Sequence, residues 1–128
     1  MTPTKPKILL IDDDKQLTAA FASFLREAGY VALVAHDPMQ GLMFAQRETP
    51  ALILLDMMMP AGGGMGLFDK LARSPKTQAI PVLVVTATTD LKTEREAREH
   101  GAVGVLHKPV DREVLLQNVK ELLDAADE

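Results

Sequence analysis

A short apolar run that ends in a single aspartate, ALILLDMMMP at Ala51–Pro60, constrains the fold of this chain most. Prolines stand just before the run and at its end. An unbroken apolar run of this length indicates a strand buried on both faces, as in parallel sheets. Asp56 is then the first charged group at the carboxyl end of a central strand, where an ionised carboxylate is costly unless it is paired or used. The alternative is an aspartate that merely caps the following turn.

The composition of the chain is that of an ordinary globular domain. It has 128 residues, of which 47% are hydrophobic, so it can bury a sizeable core. A net charge of −4 argues against a non-specific nucleic-acid binder, and the absence of cysteine excludes disulfides, thiolate catalysis and cysteine-based zinc sites. No apolar run approaches the length of a membrane span, and the N-terminus lacks the apolar core of a signal peptide. We therefore expect a cytoplasmic protein that contacts neither nucleic acid nor membrane directly.

Apolar bursts alternate along the chain with amphipathic helical patterns. Such alternation predicts an α/β fold, a doubly wound parallel sheet of five strands with five helices and right-handed crossovers. The predicted strands are Lys7–Ile11, Val31–Ala35, Ala51–Asp56, Pro81–Thr86 and Val103–His107. The predicted helices are Lys15–Ala28, Asp37 to about Gln46, Leu67–Arg73 after a glycine turn at Gly62–Gly64, Asp90–His100 and Asp111–Asp124. Ser74–Ala79 is the only linker-like segment.

Polar side chains that suit phosphate chemistry stand at the carboxyl ends of four of the five predicted strands. They are Asp12 and Asp13, Asp56, Thr86 and Lys108. Because ligands of open parallel sheets sit outside the carboxyl ends of the strands, these groups are expected to converge at one edge. Each has an ordinary alternative: acids that favour a helix N-terminus, a β-branched strand residue, or a solvated lysine before a turn proline. Together, however, clustered carboxylates repel one another, and a cation such as Mg²⁺, which prefers oxygen ligands, would remove that cost.

This set of side chains predicts phosphoryl transfer to the protein itself. Asp56 is the candidate nucleophile, because a carboxylate can carry a phosphoryl group as an aspartyl-phosphate. Mg²⁺ bound through Asp13, with help from Asp12, would neutralise charge on the phosphoryl group. The Lys108 ammonium and the Thr86 hydroxyl would contact its other oxygens.

The chain resembles the receiver domains of bacterial two-component response regulators, from about Lys5 to Leu123. Four short motifs, in the order and spacing of that family, underlie the resemblance: ILLIDDD with Asp12 and Asp13, LILLDMMMP with Asp56 and Pro60, PVLVVTA with Thr86 and Ala87, and HKP with Lys108 and Pro109. The resemblance implies a single receiver domain over residues 1–128, with a flavodoxin-like sheet in the strand order 2-1-3-4-5. It also implies a signalling domain, not an enzyme, that catalyses only its own phosphorylation and dephosphorylation.

The resemblance further implies a site and partners. Asp56 would accept a phosphoryl group from a sensor histidine kinase or a histidine phosphotransfer protein. The implied ligands of Mg²⁺ are Asp12, Asp13, Asp56 and the backbone carbonyl of Met58. The Lys108–Pro109 peptide would be cis. A downstream protein target would read a conformational change in the face formed by the fourth helix, the fifth strand and the fifth helix.

The chain departs from the family pattern at three places. Gly63-Gly64 stands where Asp-Gly is common, Val105 where an aromatic side chain swings as Thr86 moves, and Val110 where an aromatic follows Lys-Pro. None of these changes removes a catalytic group, but the aromatic relay lacks its usual ring. With no output domain in this chain, the protein would act by docking to a partner or be a piece of a larger protein.

Three other functions fit parts of the sequence. A pseudo-receiver, a binding module that is never phosphorylated, is disfavoured because all five site groups are present. A phosphatase could use the Asp-x-Asp of Asp12–Asp14, but Gln16 replaces the expected threonine or valine. A flavin-binding module is disfavoured because its phosphate loop would be acidic. The three histidines, His36, His100 and His107, share no ligand spacing, and we predict no metal role for them.

The predicted helix Asp90–His100 has little to anchor it. Leu91 and Ala97 are its only apolar residues. Its charged residues offer three pairs at i,i+4, each worth only about 0.2–0.5 kcal/mol. These pairs are Lys92–Glu96, Glu94–Arg98 and Arg95–Glu99. We therefore predict that this helix has low local stability and changes when the site is phosphorylated.

Overall fold

The computed structural model describes residues 4–60 and 63–126, which form a parallel sheet between two layers of helices. The strands are β1 (Lys7–Ile11), β2 (Val31–Ala35), β3 (Leu52–Leu55), β4 (Val82–Thr86) and β5 (Gly104–His107). The helices are α1 (Lys15–Glu27), α2 (Pro38–Glu48), α3 (Gly63–Arg73), α4 (Leu91–Glu99) and α5 (Arg112–Ala126). The sheet has the order β2-β1-β3-β4-β5, with every neighbouring pair parallel. The predicted doubly wound α/β fold, its order 2-1-3-4-5 and its five helices are thus confirmed.

The strands are apolar on both faces because helices cover both faces of the sheet. In β1, Leu9 and Ile11 face a core that also contains residues of α2, α3 and α4. Ile8 and Leu10 face the opposite core, which α1 and α5 complete. All four residues of β3 are buried. The apolar run before Asp56 is therefore the central strand of the sheet, as its sequence indicates.

Two acidic residues begin helices as expected from their side chains. The Asp14 carboxylate accepts a hydrogen bond from the Leu17 N–H at 3.0 Å, at the start of α1. The Asp37 carboxylate accepts from the Gln40 N–H at 2.8 Å, and Pro38 follows at the first position of α2. Both caps satisfy backbone donors that the first turn of a helix leaves free. Of the three acids after β1, Asp14 therefore caps α1, and Asp12 and Asp13 remain as candidate site residues.

The start of α3 differs from the sequence prediction. The helix begins at Gly63, not at Leu67, so Gly63 and Gly64 belong to its first turn. A Cβ atom on Gly64 would lie 2.5 Å from the backbone oxygen of Asp56 and from Met57 Cα, so only glycine fits there. A Cβ atom on Gly63 would lie 2.6 Å from the ring of Pro38, which accounts for the missing aspartate of the usual Asp-Gly. The predicted turn residue Gly62 lies outside the described residues.

We expect a Gly64→Ala substitution to destabilise the fold by about 1–3 kcal/mol, the usual effect of overpacking. The added methyl group would push the start of α3 away from the backbone that carries Asp56. The free energy of unfolding in urea is the measurement. Gly66→Ala, in the same helix, is the matched control, because a Cβ atom there meets nothing within 4 Å. Equal stability of the two variants would contradict this packing argument.

Other predicted boundaries need smaller corrections. Pro81, Val103 and both ends of Ala51–Asp56 lie just outside their strands, and several helices begin or end one or two residues away from the prediction. The segment Ser74–Ala79 is not a linker: Thr77 is buried, and its hydroxyl donates to the Leu71 carbonyl at 2.7 Å. Within residues 4–60 and 63–126, no helix has the length and apolar character needed to cross a membrane.

The weak anchoring of α4 is visible in its side chains. Ala97 is its only buried residue, and Leu91 is 72% exposed. Of the three predicted i,i+4 pairs, only Glu94–Arg98 forms an ion pair, at 3.2 Å, in this described helix. The prediction of contacts is therefore wrong for the other two pairs, Lys92–Glu96 and Arg95–Glu99.

Candidate functional site

Backbone hydrogen bonds extend the sheet by one residue beyond three strands and thereby fix the predicted site residues in register. The Asp56 N–H donates to the Ile11 carbonyl at 3.0 Å, and the Asp12 N–H donates to the Ala35 carbonyl at 3.1 Å. At the other side of the sheet, the Lys108 N–H donates to a carbonyl at the end of β4, that of Thr86, at 2.8 Å. The site is therefore built on the rigid edge of the sheet.

Three carboxylates meet at this edge. One oxygen each from Asp12, Asp13 and Asp56 lies within 4.8 Å of the others. Asp12 and Asp56 are each only 4% exposed, whereas Asp13 is exposed. Like charges this close raise the free energy of the folded state unless a positive charge offsets them. The structure thus brings together the three acids that the sequence analysis selected.

The ammonium group of Lys108 enters the acidic cluster. Its Nζ donates to Asp12 Oδ2 at 2.7 Å and lies 3.7 Å from Asp56 Oδ2. The Lys108 side chain is 17% exposed, so this pair is largely shielded from water. Lys108 is therefore part of the site, and the alternative of a solvated lysine before a turn proline does not hold.

The two oxygens of Asp56 have different surroundings. Oδ1 accepts a hydrogen bond from the Met58 N–H at 3.0 Å. Oδ2 faces the Lys108 ammonium at 3.7 Å, which is longer than a hydrogen bond. On Asp12, Oδ1 accepts from the Asp14 N–H at 2.9 Å, and Oδ2 is taken by Lys108. Asp56 Oδ1 is thus held by the backbone, whereas Oδ2 faces the ammonium group of Lys108.

Burial and charge shift two pKa values in the site. Burial raises the pKa of Asp56, and the neighbouring Asp12 and Asp13 raise it further, although the Met58 N–H and the charge of Lys108 oppose the rise. Burial alone would lower the pKa of Lys108, but its hydrogen bond to Asp12 and the surrounding negative charges outweigh burial and raise it. Lys108 therefore stays charged, while Asp56 resists ionisation unless more positive charge enters the site.

The other predicted site residues lie in the same region. Thr86 is buried at the end of β4, and its hydroxyl accepts from the Thr88 N–H at 3.4 Å. Met58 contacts Asp56 through its N–H, and the residue is 54% exposed. The Lys108–Pro109 peptide is cis, as the resemblance implies.

His107 is the residue of this region that sequence reasoning missed. Its ring contacts Thr88 in the β4–α4 loop and Glu94 in α4. From the sequence, the three histidines are considered only as metal ligands. The alternation of side chains along β5, which places His107 on the same face as Val105, is the signal that could have found it.

The sequence profile of the response regulator receiver domain matches residues 8–120. The chain belongs to this family. Curated relatives agree: protein PilH of Pseudomonas aeruginosa is 33% identical over 118 residues, which cover 91% of this chain and 97% of that protein. The DNA-binding dual master transcriptional regulator RpaA of Synechocystis sp. is 36% identical over 122 residues.

Solved structures resemble this receiver domain closely. The CheY-like response regulator receiver domain protein from Methanospirillum hungatei superimposes with a TM-score of 0.91 at 27% identity, over 97% of this chain and 98% of that one. Chemotaxis protein CheY4 of Vibrio cholerae gives a TM-score of 0.87 at 27% identity, over 93% and 99%.

The relatives differ in length. The match covers 95% of this chain but only 51% of RpaA. It covers 91% of this chain and 26% of the response regulator PleD of Caulobacter vibrioides. This chain thus spans about half of RpaA, about a quarter of PleD and nearly all of PilH.

The acidic cluster fits the Mg²⁺ that receiver domains use. Its donors are all carboxylate oxygens, close enough together to bind one cation, and such hard oxygen ligands suit Mg²⁺. The ion would be held by Asp12, Asp13 and Asp56. A bound cation would also oppose the rise in the pKa of Asp56, which burial causes first and the charges of Asp12 and Asp13 increase, because positive charge favours the ionised carboxylate.

We expect Asp13→Ala to weaken Mg²⁺ binding but to raise stability without metal. Removing one of three like charges relieves repulsion, although Asp13 is exposed, so the gain is at most about 0.5 kcal/mol. Calorimetric Mg²⁺ titration and the metal-free melting temperature are the measurements. Asp124→Ala, which removes an exposed charge near the end of α5, is the control. A metal-free melting temperature below that of the wild type would refute the repulsion argument.

Proposed function

We propose that this receiver accepts a phosphoryl group on Asp56 from a phosphohistidine donor in a Mg²⁺-dependent reaction. The observation that supports the proposal is the pairing of a buried carboxylate with a largely shielded ammonium group: Asp56 Oδ2 faces Lys108 Nζ at 3.7 Å inside the acidic cluster. An aspartate that only capped the following turn would not account for two further acids and one lysine in the same pocket.

The chain's own residues have separate roles in the proposed transfer. Asp56 Oδ2 attacks phosphorus, and a P–O bond forms as the P–N bond of the donor's phosphohistidine breaks. Lys108 shifts its charge from Asp12 toward the incoming phosphoryl oxygens, and the Thr86 hydroxyl donates to another of them. The Met58 N–H holds Asp56 in position through Oδ1. Bound Mg²⁺, which the Met58 carbonyl would help to hold, supplies additional charge neutralisation.

The donor would be a sensor histidine kinase or a histidine phosphotransfer protein, and a downstream protein would read the result. We propose that the readable surface is formed by α4, β5 and α5. The weak anchoring of α4 supports this choice, because a helix held by one buried residue needs little energy to move. The protein would promote only its own phosphorylation and dephosphorylation. The cytoplasmic location stays a prediction.

Intact mass spectrometry tests the proposal. The protein is incubated with Mg²⁺ and a small phosphodonor such as acetyl phosphate, with and without excess chelator. We expect one added phosphoryl group with Mg²⁺ and none after chelation. No added mass in either sample would favour the second candidate function, a pseudo-receiver that binds partners without being phosphorylated.

A further inference from the structure

His107 places a ring next to the position that usually holds the aromatic side chain of the relay. Residues two apart on a strand share a face, so His107 and Val105 point the same way from β5. Val105 packs against the core that contains Ala97 of α4, whereas Leu106, between them, packs on the α5 side. His107 is thus on the α4 side of the sheet, two residues closer to the acidic cluster than Val105.

Both ring nitrogens of His107 have partners outside β5. Nδ1 lies 2.9 Å from the Thr88 carbonyl, and because a carbonyl only accepts, Nδ1 carries the hydrogen and donates. Nε2 lies 3.4 Å from Glu94 Oε2 in the first turn of α4, and because a carboxylate only accepts, this contact is an ion pair only when Nε2 also carries a hydrogen and the ring is charged. The other oxygen of Glu94 accepts from Arg98 at 3.2 Å. One side chain therefore connects the end of β5, the β4–α4 loop and α4.

The same loop is connected to the Thr86 hydroxyl. The Thr88 N–H donates to Thr86 Oγ1 at 3.4 Å, and the Thr88 carbonyl accepts from His107. Thr86 and His107 are also directly paired in the sheet register. A hydrogen bond of 3.4 Å is long and weak, so the Thr86 oxygen can move away from the Thr88 N–H at little cost when its hydroxyl turns to donate to a phosphoryl oxygen. A change at Thr86 then releases the N–H of Thr88, whose carbonyl stays bound to His107.

We propose that His107 is a positioning residue that couples the Thr86 hydroxyl to α4, in place of the aromatic ring missing at Val105. When the hydroxyl turns toward the phosphoryl group, the Thr88 backbone moves, and the charged form of the His107 ring transmits this movement to Glu94. The helix follows, because Ala97 is its only buried side chain. This inference rests on the proposed phosphorylation of Asp56.

Hydrogen exchange of α4, with and without beryllofluoride and Mg²⁺, tests the coupling. Wild-type protein is expected to change protection over residues 91–99. In His107→Ala, this change in the opening equilibrium should shrink about 2- to 30-fold, the effect expected of a residue on a coupling path. His107→Asn keeps a donor for the Thr88 carbonyl and should restore part of the response. Glu99→Ala, an exposed charge of the same helix, should respond like wild type.

Measuring the phosphorylation of Asp56 distinguishes a loss of coupling to α4 from a general loss of structure. Labelling of Asp56 by acetyl phosphate should stay within about twofold of wild type in His107→Ala, since the ring touches no reacting atom. A wild-type α4 response in His107→Ala would overturn the inference. The inference would also be overturned if α4 of His107→Ala exchanged faster both with and without beryllofluoride while the difference between the two states stayed that of wild type. His107 would then only anchor the helix. If wild-type Asp56 takes no phosphoryl group, the proposed function fails first and this inference falls with it.

Discussion

An Asp56→Asn variant is expected to take up no phosphoryl group under conditions that label the wild-type protein. The amide lacks the ionised oxygen that attacks phosphorus, whereas the rest of the site is unchanged. Its side-chain oxygen can still accept from the Met58 N–H, which Asp56 Oδ1 accepts at 3.0 Å, so the local backbone should be preserved. Intact mass after incubation with Mg²⁺ and acetyl phosphate is the measurement, and we expect complete loss of the added mass.

The same variant should be more stable than wild type without metal at neutral pH. Because burial raises the pKa of Asp56 in the folded state, the stability contributed by its protonated form is present below the unfolded pKa. That contribution is lost as the pH rises through the folded pKa. Asparagine never ionises. The difference in metal-free melting temperature between Asp56→Asn and wild type should therefore widen as the pH rises from the unfolded to the folded pKa of Asp56. A folded, stabilised variant also shows that lost labelling is not lost structure.

Asp124→Asn is the matched control for labelling, because it changes an exposed carboxylate on α5 in the same way. It should be labelled like wild type. Stoichiometric labelling of Asp56→Asn would place the acceptor elsewhere. Asp12 and Asp14 would then be the candidates, and the phosphatase interpretation would return.

The architecture and the site edge could be predicted because their signals are local. Strands covered on both faces must be apolar throughout, and each such run in this chain is short and ends at a turn. The carboxyl ends of parallel strands meet at one edge, so the residues at the carboxyl ends of β1, β3, β4 and β5 could be grouped without coordinates. Even where Asp56 was placed inside a strand, one residue too far, its N–H continues the ladder to the Ile11 carbonyl.

What could not be predicted depends on contacts between distant segments. Local propensity assigns consecutive glycines to a turn, yet Gly63 and Gly64 are helical because α3 packs directly on the Asp56–Met57 backbone and on Pro38. Nothing in the sequence near residue 64 reveals that approach. The contacts of His107 likewise join residues 19 positions apart, and they became visible only when β5 and the loop after β4 were placed side by side.

Replacing Lys108 by methionine should destabilise the metal-free protein by about 3 kcal/mol, the lower end of the range for a buried ion pair that loses one partner. The methionine keeps much of the apolar stem, so the loss reports the ammonium group. Without it, Asp12 Oδ2 loses its 2.7 Å partner and the carboxylates of Asp12 and Asp56 repel without offset. The free energy of unfolding in urea, measured in chelator, is the test. Lys120→Met, an exposed lysine of α5, is the control and should change little.

Mg²⁺ distinguishes this electrostatic explanation from a loss of packing. Because Lys108 and Mg²⁺ would neutralise the same carboxylates, the ion should bind Lys108→Met more tightly and restore more stability than it adds to wild type. Labelling should nevertheless be slower by about 100-fold, since the ion cannot replace the ammonium contact to the phosphoryl oxygens. The expected loss of metal-free stability in Lys108→Met is opposite in sign to the change expected in Asp13→Ala, in which metal-free stability rises. If Lys108→Met is as stable as wild type in chelator, or if Mg²⁺ stabilises both proteins equally, Lys108 does not neutralise the acidic cluster and its role in phosphoryl transfer loses its structural basis.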